Sequence, residues 1–373
     1  MEVCFQPLRL CTDFEERWLI KKLTIRDIAN AASVSVGTVS RVLNGHKSVS
    51  PENRRRVEAV IRKFGYRPHP IAQSMRTNST KMIGGLVRNL TFPMMAGFIN
   101  SAEPIFDKAG YVLVFANGND SVEHELMIIE MFLRRRMDGL LMTLCDEGAP
   151  QLRKALKAVN VPMILLDREL DLDADTVWID HRGGATLATD YLLELGHRRI
   201  ALLAGNLAVR PARETEAGFR RAYAACGLIP EERLIVHSDF MAASAYRNTA
   251  DLLAVEEPPS AIVIGGSLML PGVLRAINEA RLRIPEDISI INGCDSDLAE
   301  FATPSITVMR KDFAGMGTVA AQLLLERLGE TQAEKRKPRR IILPAELILR
   351  QSCAAPAVAG KIAATRRTSA RRR

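Results

Sequence analysis

From residue 82 to about residue 350 the chain alternates short aliphatic runs with amphipathic helical stretches, and this narrows the fold more than any other feature. The runs are Met82–Val87, Val112–Phe115, Gly139–Leu144, Met163–Leu166, Ile200–Leu203, Leu234–Val236, Ala261–Ile264, Ile288–Ile291 and Ile306–Val308. Between them lie helical stretches such as Glu123–Arg135, Gly184–Leu195, Glu214–Ala225, Met269–Ala280 and Phe313–Leu328. Several stop at a glycine: Gly110, Gly196, Gly227, Gly329. Strands alternating with helices imply parallel sheets joined by crossovers. So many strands exceed one usual open sheet, so the pattern predicts two α/β lobes. Ligands bind such sheets at the carboxyl ends of strands, here facing a cleft between the lobes.

Residues 23–64 have a different grain and read as three short helices. Thr24 can cap the first, from Ile25 to about Ala32, with Ile28, Ala29 and Ala32 on one face. Ser35 can cap the second, Val36–Leu43, whose apolar stripe is Val39, Val42 and Leu43. Ser50-Pro51 starts the third, where Val57, Val60, Ile61 and Phe64 recur at helical spacing before Gly65 stops the run. Two short helices separated by Ser33-Val34-Ser35 predict a helix-turn-helix. The second helix offers Thr38 and Ser40 for phosphate contacts, Arg41 for a bidentate contact with guanine and Val36 for a thymine methyl. Gly37 offers no side chain and admits only close backbone approach.

Charge placement supports a polyanion partner. The net charge is +8, and residues 23–80 alone carry ten Lys/Arg against three Asp/Glu. The six cysteines (Cys4, Cys11, Cys145, Cys226, Cys294 and Cys353) include no CxxC pair and no histidine at ligand spacing, so they read as reduced thiols with no metal site. No apolar run reaches the ~20 residues of a membrane helix, and the N-terminus lacks the layout of a secretory signal. The sequence therefore predicts a cytoplasmic, nucleoid-associated protein with no membrane partner. No GxGxxG follows a strand, and GxSxG, HExxH and GxxxxGK[ST] are absent, so no enzyme and no cofactor is expected.

Five segments follow. Residues 1–22 read as a disordered leader, 23–66 as the helix-turn-helix domain, 67–80 as a hinge, 81–353 as the two-lobed domain and 354–373 as a basic disordered tail. The stretch from Leu23 to Thr80 carries DIA, TVSRVLN, the GYRP element and IAQSMR, and strongly resembles the head and hinge of the lactose/galactose repressor (LacI/GalR) family. The likeness continues through IGGLV, DGLL, VPMILLDRE, LGHRRIALLAG, AGFRRAY, RLRIPEDISIINGCD and LPAELILRQSC. It implies an N-terminal all-α helix-turn-helix head and an α/β two-lobed domain like a periplasmic binding protein, with three chain crossings between lobes. We place these near Asp180–Gly183, Val308–Lys311 and Arg336–Arg340.

The resemblance also implies roles. Val36, Gly37 and Arg41 would face bases, while Thr38, Ser40 and Asn44 hold phosphates. Residues Ile71–Arg76 would form a hinge helix on DNA, with Ile71, Gln73, Met75 and Arg76 at the minor groove. Met75 stands where the family commonly has a wedging leucine, and methionine is apolar enough to wedge.

In the effector domain, strand ends nominate Asn89, Phe92, Asp167, Arg168 and Asp295, and Trp178, Arg213 and Phe240 lie near the same edge. Aromatic faces with carboxylates and arginines suit a sugar or another polar metabolite. Two positions depart from the family. Thr215 replaces a common arginine, and Gly266-Ser267 stands for a common Asn-Asp; an arginine at 210 or 213 would suit an anionic ligand instead. The expected partners are two-fold symmetric operator DNA, a small-molecule effector and a second copy of the chain. The expected function is a transcription regulator, in the sense of a repressor. Its rival is a ligand-independent regulator, or an architectural protein with a vestigial ligand domain.

Overall fold

The three N-terminal helices hold a core of their own. The computed structural model describes residues 23–43, 46, 48–66, 79–330 and 337–356, and the chain divides at Thr80 into a head and a body. In the head, α1 (Ile25–Ala31) begins with a capping box, Thr24 and Asp27 each satisfying the other's backbone N–H. In front of α2 (Val36–Leu43), Ser35 Oγ accepts from Thr38 N–H at 3.1 Å. The third helix, α3 (Pro51–Phe64), has Ser50 as its cap, Pro51 in the first turn and Gly65 in the left-handed region at φ 58°. Ile28, Ala29, Ala32, Val39, Val42, Val49 and Val57 close the core.

In the body the aliphatic runs become two six-stranded sheets. The first contains β1 (Met82–Val87), β2 (Val112–Asn117), β3 (Gly139–Met142), β4 (Met163–Leu166), β5 (Asp175–Ile179) and β11 (Arg340–Leu343). Its order is β11-β5-β4-β3-β1-β2, and every pairing is parallel. The second contains β6 (Ile200–Ala204), β7 (Ile235–His237), β8 (Ala261–Ile264), β9 (Ser289–Asn292), β10 (Thr307–Lys311) and β12 (Ala345–Ile348). Its order is β12-β10-β9-β8-β6-β7, parallel except where β12 runs against β10.

Strand side chains alternate between faces, so each sheet buries two helix layers. Ile83, Leu141, Ile164 and Val177 meet α4 (Met94–Lys108) and α12 (Phe313–Gly329) through Phe98, Phe106, Ala320 and Leu324. The opposite residues, Leu86, Leu140, Met142 and Leu165, meet α5 (Val122–Arg134) and α6 (Pro150–Lys157). In the second sheet, Leu203, Ile262, Ile264 and Ile290 pack on α9 (Ala242–Ala254), α10 (Leu270–Glu279) and the short α11 (Asp297–Phe301). Leu202, Ala204, Val263 and Ile291 pack on α7 (His181–Glu194) and α8 (Arg210–Ala225).

The helix layers show where the chain changes lobe. α7 follows β5 of the first sheet but covers the second, and α12 follows β10 of the second but covers the first. Both passages are built alike. Asp180 Oδ1 accepts from Gly183 N–H at 2.8 Å, and Asp312 Oδ1 accepts from Gly315 N–H at 2.6 Å. The third passage corrects the sequence reading. It lies at Pro344 and not near Arg336–Arg340, because β11 and β12 form one extended run whose proline has no N–H to share.

The aliphatic pattern also passes over β5, β11 and β12. β5 opens on Asp175, whose carboxylate is fully buried and accepts from Arg327 at 2.7 Å and from the Arg339 N–H at 2.6 Å. A charged residue inside a buried strand is readable only once its partners, about 150 residues away in sequence, are in place.

Between α7 and α8 a glycine sets the helix separation. A Cβ on Gly218 would stand 2.2 Å from the Arg182 carbonyl oxygen and 2.9 Å from the Ala185 Cβ. Gly218→Ala should therefore cost about 1–3 kcal/mol through forced backbone shifts. Urea unfolding measures it, and a variant with an unchanged midpoint would mean these helices have room to spare.

Candidate functional site

The outer face of α2 has little reason to look as it does for the sake of the fold. Val39 and Val42 turn inward, and Val36, Gly37, Ser40 and Arg41 occupy the opposite arc. Val36 is 41% exposed, an apolar side chain left in water at the start of a helix. A Cβ on Gly37 would meet nothing closer than Ser35 Oγ at 3.7 Å, so packing does not demand the glycine. Thr38 sits at the edge of this face, its hydroxyl 3.0 Å from that of Ser35. Arg54 steadies the segment after α2 by donating to the His46 carbonyl at 2.6 Å. Asn44, Ile71, Gln73, Met75 and Arg76 lie outside the described residues.

The body carries its site where the carboxyl ends of both sheets meet. A cavity of about 120 Å³, opening to solvent, is walled by strand-end residues of both lobes, and most of the wall is apolar. Phe92, which packs against the cores of both lobes, and Phe240 supply aromatic faces. The Phe240 ring is packed close against two glycines. A Cβ on Gly205 would stand 1.8 Å from its ring and one on Gly266 2.6 Å. Arg88 stands over both rings, 5.8 Å from the Phe92 centroid and 5.3 Å from that of Phe240, while its Nε donates to Asp120 at 2.6 Å.

Asp167 organises the polar part of the wall. It ends β4 in a left-handed conformation at φ 53°. Its Oδ1 accepts from Ile179 N–H at 2.8 Å, and its Oδ2 accepts from His181 Nε2 at 2.8 Å. Burial alone would raise its pKa, but the His181 ring, the Ile179 N–H and Arg168 outweigh burial and hold the carboxylate below its ordinary range. Burial pushes His181 the other way, below the ordinary histidine value, and Lys311 and Arg210 add to that, so the ring stays neutral. Arg168 is buried too, donating to the carbonyls of Leu144 and Asp167. Burial and the nearby Arg88 bring its pKa down to about 10.

Of the residues nominated from sequence, Asn89, Phe92, Asp167, Arg168 and Phe240 come together on this wall. Trp178, Arg213 and Asp295 do not line it. Trp178 is buried, donates its indole N–H to the Arg168 carbonyl at 2.8 Å and stacks under Arg210 at 4.1 Å. Arg213 is drawn to Glu147 at 2.5 Å, and Asp295 to Arg310 and Arg350 at 2.8 and 2.9 Å. Each points at a partner that its sequence neighbourhood does not contain. Sequence reasoning did not nominate Arg88, His181, Ser267 or Lys311 as ligand contacts, and all are on the wall. Arg88 and Lys311 were findable, since one follows and the other ends a strand, as Asn89 and Asp167 do.

Comparison with known proteins agrees with this architecture. Residues 24–69 match "Bacterial regulatory proteins, lacI family", and residues 189–353 match "Periplasmic binding protein-like domain". The chain is 33% identical over 314 residues to the HTH-type transcriptional repressor PurR of Erwinia tasmaniensis, covering 83% of this chain and 92% of that one. It is 32% identical over 333 residues to PurR of Escherichia coli, covering 89% and 97%. Among solved structures it resembles the Lac repressor dimer bound to operator and the anti-inducer ONPF (TM-score 0.78, 28% identity, 90% and 100% covered). It also resembles the CelR–cellobiose complex (TM-score 0.68, 30% identity, 88% and 99% covered).

The Asp167–His181 pair makes a pH prediction. A histidine whose folded pKa lies below 6.5 is protonated more readily in the unfolded chain. Stability is then lost as pH falls below about 6.5, down to the folded pKa. Asp167, depressed in the fold, adds a further loss in the acid range below about 4. Urea unfolding at pH 7.5 and 5.5 should show His181→Gln with a smaller drop than the parent chain, the remainder coming from His197, which burial also depresses. Equal drops in both proteins would mean that His181 is not buried neutral.

Proposed function

The chain belongs to the lacI family of bacterial regulatory proteins and is a DNA-binding transcriptional repressor under small-molecule control, and we propose that α2 reads its operator while the lobe cleft takes its effector. The observation that carries the first half is the arc of exposed Val36, Gly37 and Arg41 with half-buried Ser40, a face whose Val36 and Gly37 packing within the head does not explain. A helix in the major groove needs such a face, with hydroxyls for phosphate, a guanidinium for guanine and a bare stretch for close approach. The named relatives are repressors, and we read this chain likewise as a regulator and not a catalyst, acting in the cytoplasm on the nucleoid.

The Lac repressor binds its operator as a dimer. Two copies of this chain would present two α2 helices to the halves of a two-fold symmetric site. The effector acts by bias: a ligand that fits one angle between the lobes better than another shifts the population toward it. Residues 67–80 link head to body, so they or the second subunit must carry the shift. Asn89, Phe92, Asp167, Arg168 and Phe240 are the residues we assign to the effector. Trp178 and Arg213 support that wall from behind, and Asp295 stays with its arginines.

Selection from a random duplex pool, followed by binding at fixed salt with a metabolite panel, tests the reading. A two-fold symmetric site whose affinity changes with one compound is the expected result. A symmetric site indifferent to every compound would favour ligand-independent regulation, and no enriched site would overturn the reading. Arg41→Ala should weaken the selected site by about 1–3 kcal/mol and relax base preference at one position per half-site. Equal weakening on all sequences would make Arg41 a phosphate contact.

A further inference from the structure

Charge accounting around the cleft leaves one cation over. Arg88 is paired with Asp120 at 2.6 Å. Arg168 donates to two carbonyls and faces Glu147 at 4.0 Å. Arg210, one of the two arginines that the sequence offers an anion, lies 3.6 Å from Asp167 and stacks on Trp178. The other, Arg213, is held by Glu147 and Glu169. Lys311 ends β10 on the cavity wall, and among the described residues its side-chain amine has neither an ion pair nor a hydrogen bond. Burial pushes its amine below the ordinary lysine value, and its titratable neighbours offer no paired charge to restore it. Asp167 is already shared between His181 and Arg210, and burial pushes the Cys294 thiol up, so that it stays uncharged.

Two further groups on the wall lack partners. Ser267 is 6% exposed and its Oγ has no hydrogen bond among the described residues. His181 donates Nε2–H to Asp167, which leaves Nδ1 as a bare acceptor, also without a partner. Buried polar groups without partners are costly, so a ligand that reached these two would gain by satisfying them. One negative charge brought beside Lys311 would hold its buried amine as an ammonium, and the acceptor nitrogen of His181 would take a hydroxyl. The aromatic faces of Phe92 and Phe240 call for a flat apolar body.

Resting on the effector reading above, we propose that the cleft ligand is a small hydroxy-monocarboxylate with a ring for its body, its carboxylate paired with Lys311. The charge opposite Lys311 then belongs to the ligand, and the ion pair forms in a cavity too apolar to solvate either partner well.

The test uses the full chain on its selected operator. Probes are 3- and 4-hydroxybenzoate, 4-hydroxybenzamide as the uncharged counterpart, phenyl phosphate as a phosphorylated ring, glucose and hypoxanthine. Binding is read by calorimetry and by the shift in operator affinity. A hydroxybenzoate should bind at least tenfold more tightly than the amide and shift operator affinity. Lys311→Gln should erase the preference for acid over amide, while Lys311→Arg should keep most of it. An acid preference that survives Lys311→Gln overturns the proposal, as does tighter binding of the amide or the phosphate. If glucose or hypoxanthine shifts operator affinity and no carboxylate does, the carboxylate falls and the effector-controlled repressor stands. If no probe shifts it, the carboxylate falls, and the wider metabolite panel on the selected operator decides the effector reading separately.

Discussion

The Asp167 carboxylate is the point on which the body depends. It sits at the end of β4 in a left-handed turn, accepts the backbone N–H of Ile179 at the end of β5 and holds the first residue of α7 through His181. Those contacts join two strands of the first sheet to the helix that crosses to the second. Arg210, at the start of α8 in the second lobe, approaches the same carboxylate at 3.6 Å. One buried charge thus ties the ends of two strands, the first crossing and the opposite lobe. Removing a single partner of such a charge is far more disruptive than the net worth of the ion pair suggests.

The crossings themselves are made of short polar chemistry. Two of them use the same device, an aspartate that caps the next helix through a glycine N–H three residues on. At each, a Cβ on that glycine would fall within 2.2 Å of the aspartate oxygen, so cap and glycine are chosen together. The third crossing uses Pro344 to end one ladder and begin another. All three lie between well-packed sheets, which lets the lobes behave as firm bodies joined by narrow passages. Phe92, in contact with both cores, sits where any change of angle between lobes would be felt. A ligand on the same wall therefore works against the element that reports the angle.

Patterns with a short period were legible in the sequence. Caps, helix stops and the two apolar stripes of the head follow from residues three or four apart, and Thr24, Ser35, Ser50 and Gly65 do what their types imply. Aliphatic runs marked the central strands for the same reason, since a strand buried on both faces must be apolar throughout. The strands that escaped were those whose polar residues have distant partners: β5 with Asp175, and the pair β11 and β12 at the sheet edges. Within the site, the strand-end rule found Asn89, Phe92, Asp167 and Arg168, and it misplaced Asp295 because Arg310 and Arg350 claim that carboxylate.

The sequence by itself determined the head, the class of the body and the exposed face of α2, because each rests on neighbours within a helical turn or a strand. Which charges are spent and which are free was decided only by the tertiary structure. Arg210, Arg213 and Lys311 look alike as basic residues near a cleft. Folding brings Asp167 to the first and Glu147 to the second, from more than forty residues away, and among the described residues it gives the third no ion pair. Ion pairs act through space and not along the chain, so the charge of the cleft, and with it the kind of ligand it suits, exists only in the folded protein.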